Sequence, residues 1–109
     1  MNNPTSKNCI EAAYACARAC DLCATACLKE ANVAQMADCI SLDIDCADVC
    51  RMTAAAVARS GRFAHDMARL CANVCQACAE ECASHSHQHC QECAEACRAC
   101  AKVCLDLAA

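Results

Sequence analysis

Cys93-Ala-Glu-Ala-Cys97-Arg-Ala-Cys100-Ala-Lys-Val-Cys104 decides the fold of this chain. Its cysteines fall at steps of four, three and four residues, which sets their side chains on one stripe of an α-helix, the a and d positions of a bundle seam. The same C-x3-C-x2-C-x3-C spacing stands at Cys16, Cys20, Cys23 and Cys27, and again at Cys71, Cys75, Cys78 and Cys82. A sparser stretch keeps Cys39, Cys46 and Cys50. With Cys9 and Cys90, which continue the first and last stripes, all 17 cysteines lie on four such seams. Between them sit Ala, Glu, Gln, Arg and Asp, so folding points nearly every thiol at one axis.

Composition leaves little alternative to helices. The chain has 109 residues with one Gly, one Pro and no Trp. Its hydrophobic content is 59%, but 27 of those residues are Ala and 17 are Cys, while Leu, Ile, Val and Phe supply only 15. A β-sandwich lacks its β-branched and aromatic residues here, and disorder is disfavoured by the alanine dominance and the modest net charge of −4. Breakers are scarce enough to mark the loops, giving helices at about 6–30, 33–59, 62–83 and 86–107. The expected caps are Thr5, Ser6 and Asn8 with Glu11 for the first helix, Asn32 with Gln35 for the second, and Ser84 and Ser86 before the fourth. The second helix is expected to stop at Ser60-Gly61. Short connections between four helices of similar length favour antiparallel neighbours, hence an all-α, up-down-up-down four-helix bundle in one domain, 1–109.

Acidic charge, no basic run and only Tyr14 and Phe63 as aromatics exclude a nucleic-acid surface. No apolar run approaches the roughly 18 residues of a membrane span, and residues 1–7 do not resemble a secretory signal, so a cytosolic location is expected. Disulfides fit poorly. Cysteines four apart on a helix hold their Cβ atoms about 5–6 Å apart, more than the roughly 3.5–4.5 Å that a disulfide needs, and a cytosolic compartment reduces most pairs. Packing alone does not explain repeating an oxidisable residue at 17 seam positions where Ala or Val would fill the space. No catalytic constellation stands out, because a nucleophilic cysteine needs one thiol set apart beside a base and these are nearly equivalent.

Metal is the remaining reading. Thiolates are soft ligands that select Cu(I), Zn(II) or iron–sulfur clusters. The ferredoxin-type run ends in a proline, which does not follow Cys75-x2-Cys78-x3-Cys82. Zn(II) takes four ligands in a tetrahedron, usually from turns, although facing helices can also build such a site. Cu(I) is satisfied by two or three sulfurs, and one copper per thiolate leaves the column nearly neutral, whereas one Zn(II) with four thiolates buries excess negative charge. Multiple Cu(I) ions are therefore expected, with a zinc or mixed-metal buffer as the alternative and an iron–sulfur redox protein behind it.

The expected ligands are Cys9, Cys16, Cys20, Cys23, Cys27, Cys39, Cys46, Cys50, Cys71, Cys75, Cys78, Cys82, Cys90, Cys93, Cys97, Cys100 and Cys104. The topology gathers Met36, His85, His87 and His89 at one end, where thioether and imidazole could hand Cu(I) inward. Thr53, Val57, Ala64, Ala68 and Leu107 plug the other end, while His65, Met52 and Met67 fall off the seam. Asp43 stands on the seam where a cysteine would fit, either as an auxiliary ligand or turned outward by helix drift. Leu22, Leu28, Ile40, Leu42, Ile44, Leu70, Val74 and Leu105 are left off the seam, which suggests self-association.

The serial C-x3-C-x2-C-x3-C stripes and the His-rich turn before the last helix resemble the bacterial copper storage proteins, over roughly residues 6–107. That resemblance implies a cysteine-lined four-helix bundle holding many Cu(I) ions, the cytosolic branch of the family, and a homotetramer. The sparse second helix, with Asp43 among its cysteines, departs from the pattern.

Overall fold

The computed structural model describes residues 3–109 and leaves the first two residues outside the described part. Four helices follow in order: α1 (Pro4–Leu28), α2 (Ala37–Ala58), α3 (Ala64–Ala83) and α4 (Gln88–Ala108). A 3-10 turn, Val33–Met36, leads into α2. Among the described residues there is no strand. The body is 45 Å long and 17 Å across. Backbones approach in the pairs α1/α2, α2/α3, α3/α4 and α1/α4, so the helices run round the axis in chain order and the diagonal pairs meet only through their side chains.

Three caps differ from expectation. Helix α1 starts at Pro4, whose fixed φ suits a first helical position and whose missing N–H would find no partner there. The cap is Asn3, not the Thr5, Ser6 and Asn8 cluster: its side-chain oxygen accepts from the Ser6 N–H at 2.9 Å. At the start of α2, Asn32 makes no side-chain cap; its amide donates to Gln35 Oε1 and lies 3.9 Å from the Met36 sulfur. Ser84 closes α3 by bonding the Glu81 carbonyl, and α4 begins after His87 without a side-chain cap.

The α2 terminus is a Schellman turn. Gly61 N–H donates to Ala56 O at 2.8 Å and Ser60 N–H to Val57 O at 3.1 Å. Ser60, not the glycine, takes the left-handed position, at φ 52°. Gly61 is needed for clearance, since a Cβ there would stand 3.2 Å from the Ala56 carbonyl oxygen.

The interior is cysteine and alanine. Every cysteine is buried, and alanines such as Ala17, Ala47, Ala72 and Ala94 fill the helix contacts between the sulfur stripes. Small alanines let the helices come close enough for sulfurs from all four to meet on the axis. Thr53, Val57, Ala64, Ala68 and Leu107 close one end, with Thr53 Oγ1 donating to the Met67 carbonyl at 3.3 Å. Of the off-seam apolar residues, Leu22, Leu28, Ile44, Leu70 and Leu105 are exposed, whereas Ile40, Leu42 and Val74 pack partly against the core. Met52 and His65 face solvent and Met67 is partly buried.

Candidate metal centre

The heptad steps bring the thiols into one continuous column. At its open end, Cys23, Cys27 and Cys90 form a triangle of sulfurs 3.8 to 3.9 Å apart. His89 caps that triangle: its Nδ1 lies 3.6 Å from Cys23, 3.8 Å from Cys27 and 3.5 Å from Cys90. Cys39 and Cys82, 3.4 Å apart across α2 and α3, stand beside it. Next inward comes Asp43 with Cys78, Cys93 and Cys20. The waist follows, where Cys16 meets Cys46, Cys75 and Cys97, and Cys50 meets Cys71, Cys75 and Cys100. Cys9 and Cys104, 3.7 Å apart, lie against the plugged end. All 17 are free thiols.

The mouth thiols split: hydrogen bonds from Cys39 and Cys82 pull Cys23 down to about 6, whereas burial raises Cys27 and Cys90. Cys27 and Cys90 are held above the ordinary value, first because the thiolate loses water and then because Cys23 and Cys39 would repel a second charge. Deeper, converging S–H donors shift individual thiols in opposite directions. Cys46 is pulled down by donation from Cys16, Cys20, Cys50 and Cys75, and Cys100 by donation from Cys104, Cys16, Cys50 and Cys71.

Asp43 is fully buried, so the outward rotation does not occur. Cys39 four residues before it and Cys46 three residues after it both point at the axis, and a helix cannot turn the residue between them away. Its Oδ1 accepts from Cys78 and Cys93 at 3.3 Å and from Cys82 at 3.4 Å, and Oδ2 lies 3.9 Å from Cys39. Burial, with the thiols around Cys23 and Cys39, pushes its carboxyl up to about 8, so at neutral pH it is mostly protonated.

The mouth residues divide in two. Met36 is fully buried and His89 reaches the sulfurs. His87 is turned outward to Glu30, with its Nδ1 3.2 Å from the carboxylate, and stacks on His89 at 5.2 Å. His85 bonds Glu81 at 2.7 Å. Sequence reasoning missed Glu30, which lies 3.6 Å from His89 Nε2 and so stands between two imidazoles. No periodicity marks it, because it lies past the end of α1.

Several sets of four sulfurs lie within 4.8 Å of one another, among them Cys23, Cys27, Cys39 and Cys90 at the mouth and Cys20, Cys78, Cys93 and Cys97 below. Side by side these sets make the whole axis a store of soft ligands. Known proteins carry the same design. The copper storage protein family matches residues 2–109.

The chain belongs to that family.

Its likeness to solved family members extends over nearly its full length. A Cu(I)-bound copper storage protein of Bacillus is 43% identical, with a TM-score of 0.92, covering 96% of this chain and 99% of the other. A cytosolic copper storage protein of Streptomyces lividans, loaded with five coppers, is 45% identical, with a TM-score of 0.93, covering 95% of this chain and 92% of that one. An uncharacterised cysteine-rich protein of Bacillus subtilis is 43% identical over 80 residues, which are 73% of this chain and 74% of the relative.

Proposed function

We propose that this chain sequesters and stores many Cu(I) ions in the cytoplasm, with its 17 cysteines as the ligands. One observation carries the reading: sulfurs lie 3.4 to 4.0 Å apart within each layer, and sets within 4.8 Å, together with Asp43, join the layers from His89 to the plugged end, with no thiol set apart for catalysis among the described residues. A two- or three-coordinate Cu(I) finds ligands at any level of such a column. Each ion replaces one thiol proton, so a filled core stays close to neutral and escapes the cost of buried charge. Storage, not catalysis, is the role this supports. Asp43 serves as an auxiliary oxygen ligand or hydrogen-bond acceptor among the thiols that load around it.

The open end is the entrance. His89 and Met36 offer soft or borderline donors at the last sulfur layer, and His85 and His87, paired with Glu81 and Glu30, stand outside it. The Thr53–Val57–Leu107 end is instead packed shut by side chains without a soft donor.

Leu22, Leu28, Ile44, Leu70 and Leu105, between 45% and 60% exposed, supply the surface for a homotetramer. Light scattering of the reduced protein then gives four times the 11.5 kDa chain mass; a monomer at micromolar concentration removes the tetramer from the reading without touching storage.

The test of storage is an anaerobic Cu(I) titration against a competing chelator. The breakpoint expected is far above one or two ions and approaches one per cysteine. Saturation at a few ions contradicts storage and leaves discrete sites.

A further inference from the structure

The waist sulfurs are not merely close; they are tetrahedral. In the set Cys16, Cys20, Cys46 and Cys97, five of the six sulfur pairs measure 4.0, 3.8, 3.6, 3.8 and 4.0 Å. In the set Cys50, Cys71, Cys75 and Cys100, five measure 3.7, 3.6, 3.9, 3.9 and 4.0 Å. The sixth pair of each set is within 4.8 Å. Four points in a plane with five such edges would push the sixth well past that limit, so each set encloses a three-dimensional hole. Four bonds of about 2.3 Å to a tetrahedral Zn(II) give sulfur–sulfur edges of about 3.8 Å. Five of the six edges of each set already stand within about 0.2 Å of that spacing.

From this geometry we infer a second cargo: in the copper-free protein the waist binds two Zn(II) ions, one in the Cys16–Cys20–Cys46–Cys97 set and one in the Cys50–Cys71–Cys75–Cys100 set. The two sets share no cysteine and can fill together, whereas the overlapping set Cys16, Cys46, Cys50 and Cys75 would hold one ion at the expense of both. Each draws on three helices, so zinc also clamps the bundle: α1, α2 and α4 in the first set, α2, α3 and α4 in the second. The inference rests on sulfur positions alone and stands or falls independently of copper storage.

The exchange balances. Binding Zn(II) to four cysteines forms four zinc–sulfur bonds, releases the protons those sulfurs carry and leaves a net charge of −2 on the site. Four Cu(I) ions arriving at the same sulfurs restore neutrality and expel one Zn(II), with no proton released from that site. Buried charge is costly, so zinc is the resident and copper displaces it. Copper uptake by the zinc-loaded protein therefore appears in solution as zinc, not acid.

The test uses the full chain, reduced and anaerobic. Zn(II) is titrated against a chromophoric zinc chelator, and Co(II) serves in parallel as a spectroscopic probe. The tightest class of zinc is expected to number two per chain, and the first two Co(II) ions to give the visible bands and strong sulfur-to-metal charge transfer of four-thiolate tetrahedral sites. Cys50→Ser with Cys75→Ser breaks the second set and leaves the first intact, so one tight ion is expected; Glu95→Gln, on the exposed face of α4, leaves both. Far-UV circular dichroism checks that each variant is helical. If the double variant unfolds, the wild-type Co(II) spectrum decides alone. No tight class of two, Co(II) spectra with fewer than four sulfur donors, or loss of tight zinc in Glu95→Gln would overturn the inference.

Discussion

Replacing Asp43 by Asn should flatten part of the pH dependence of folding. The carboxyl is fully buried among thiols, and its value rises from the ordinary 3.8 to about 8, chiefly because burial strips water from the charged form. In the unfolded chain it ionises near its ordinary value; in the folded chain it stays protonated to about pH 8. The folded state therefore binds the extra proton. Its stabilising contribution is full below the unfolded value and is lost as pH rises toward the folded one. Each unit in that window costs about 1.4 kcal/mol, so between pH 4 and pH 7 wild type loses at most about 4 kcal/mol through this one group, and about 2 kcal/mol if the site relaxes around the charge. The amide of Asp43→Asn keeps the shape and an oxygen for the S–H donors but cannot ionise. Urea unfolding of both copper-free proteins, under reductant at pH 4, 5, 6 and 7, reads the difference. Cys23 and Asp43 act on each other, so the difference carries that coupling together with the carboxyl's own titration. The variant should gain about 2 to 4 kcal/mol on wild type between pH 4 and pH 7. Parallel stability profiles would refute the buried, protonated carboxyl.

His89→Ala removes the nitrogen that caps Cys23, Cys27 and Cys90, so the first copper ions should bind more weakly and load more slowly from a chelated donor, while total capacity holds, as read by stopped-flow absorption and endpoint titration. Burial holds Cys27 and Cys90 above the usual thiol value; copper bound there must displace their protons, so a pH-stat should record acid release at pH 7 and competition against a chelator should weaken as pH falls. Asp43→Cys adds a thiol at a buried seam position and should raise the copper breakpoint by about one ion per chain. Ile44→Lys with Leu22→Lys places charge on two exposed apolar residues and should lower the assembly mass by light scattering while leaving helicity unchanged.

The core was legible because its code is periodic. Steps of three and four repeated along Cys71–Cys82 and Cys93–Cys104 can only be one stripe of a helix, and four stripes can only be buried against each other. Asp43 was harder. Its buried position follows from Cys39 and Cys46 on either side, but a carboxylate on an apolar seam opposes ordinary burial, and only the cluster of S–H donors removes the conflict. The caps escaped for a local reason. Asn3 and Ser60 take roles that Thr5, Ser6 and Gly61 were also able to fill, and the choice depends on backbone angles that composition does not encode. The mouth was the least legible part. His85, His87 and His89 look alike in the turn, yet one reaches the sulfurs and two pair with Glu81 and Glu30. Glu81 stands four residues before His85, whereas Glu30 lies past the end of α1 and meets His87 only in the folded bundle.

Anomalous diffraction at the copper edge from crystals of the fully loaded protein locates every copper and tests storage most directly. A string of ions is expected along the bundle axis from His89 to Cys9 and Cys104, each within bonding distance of two or three cysteine sulfurs. Copper confined to the mouth or bound on the outer helix faces, with the waist sulfurs empty, would contradict storage in the core.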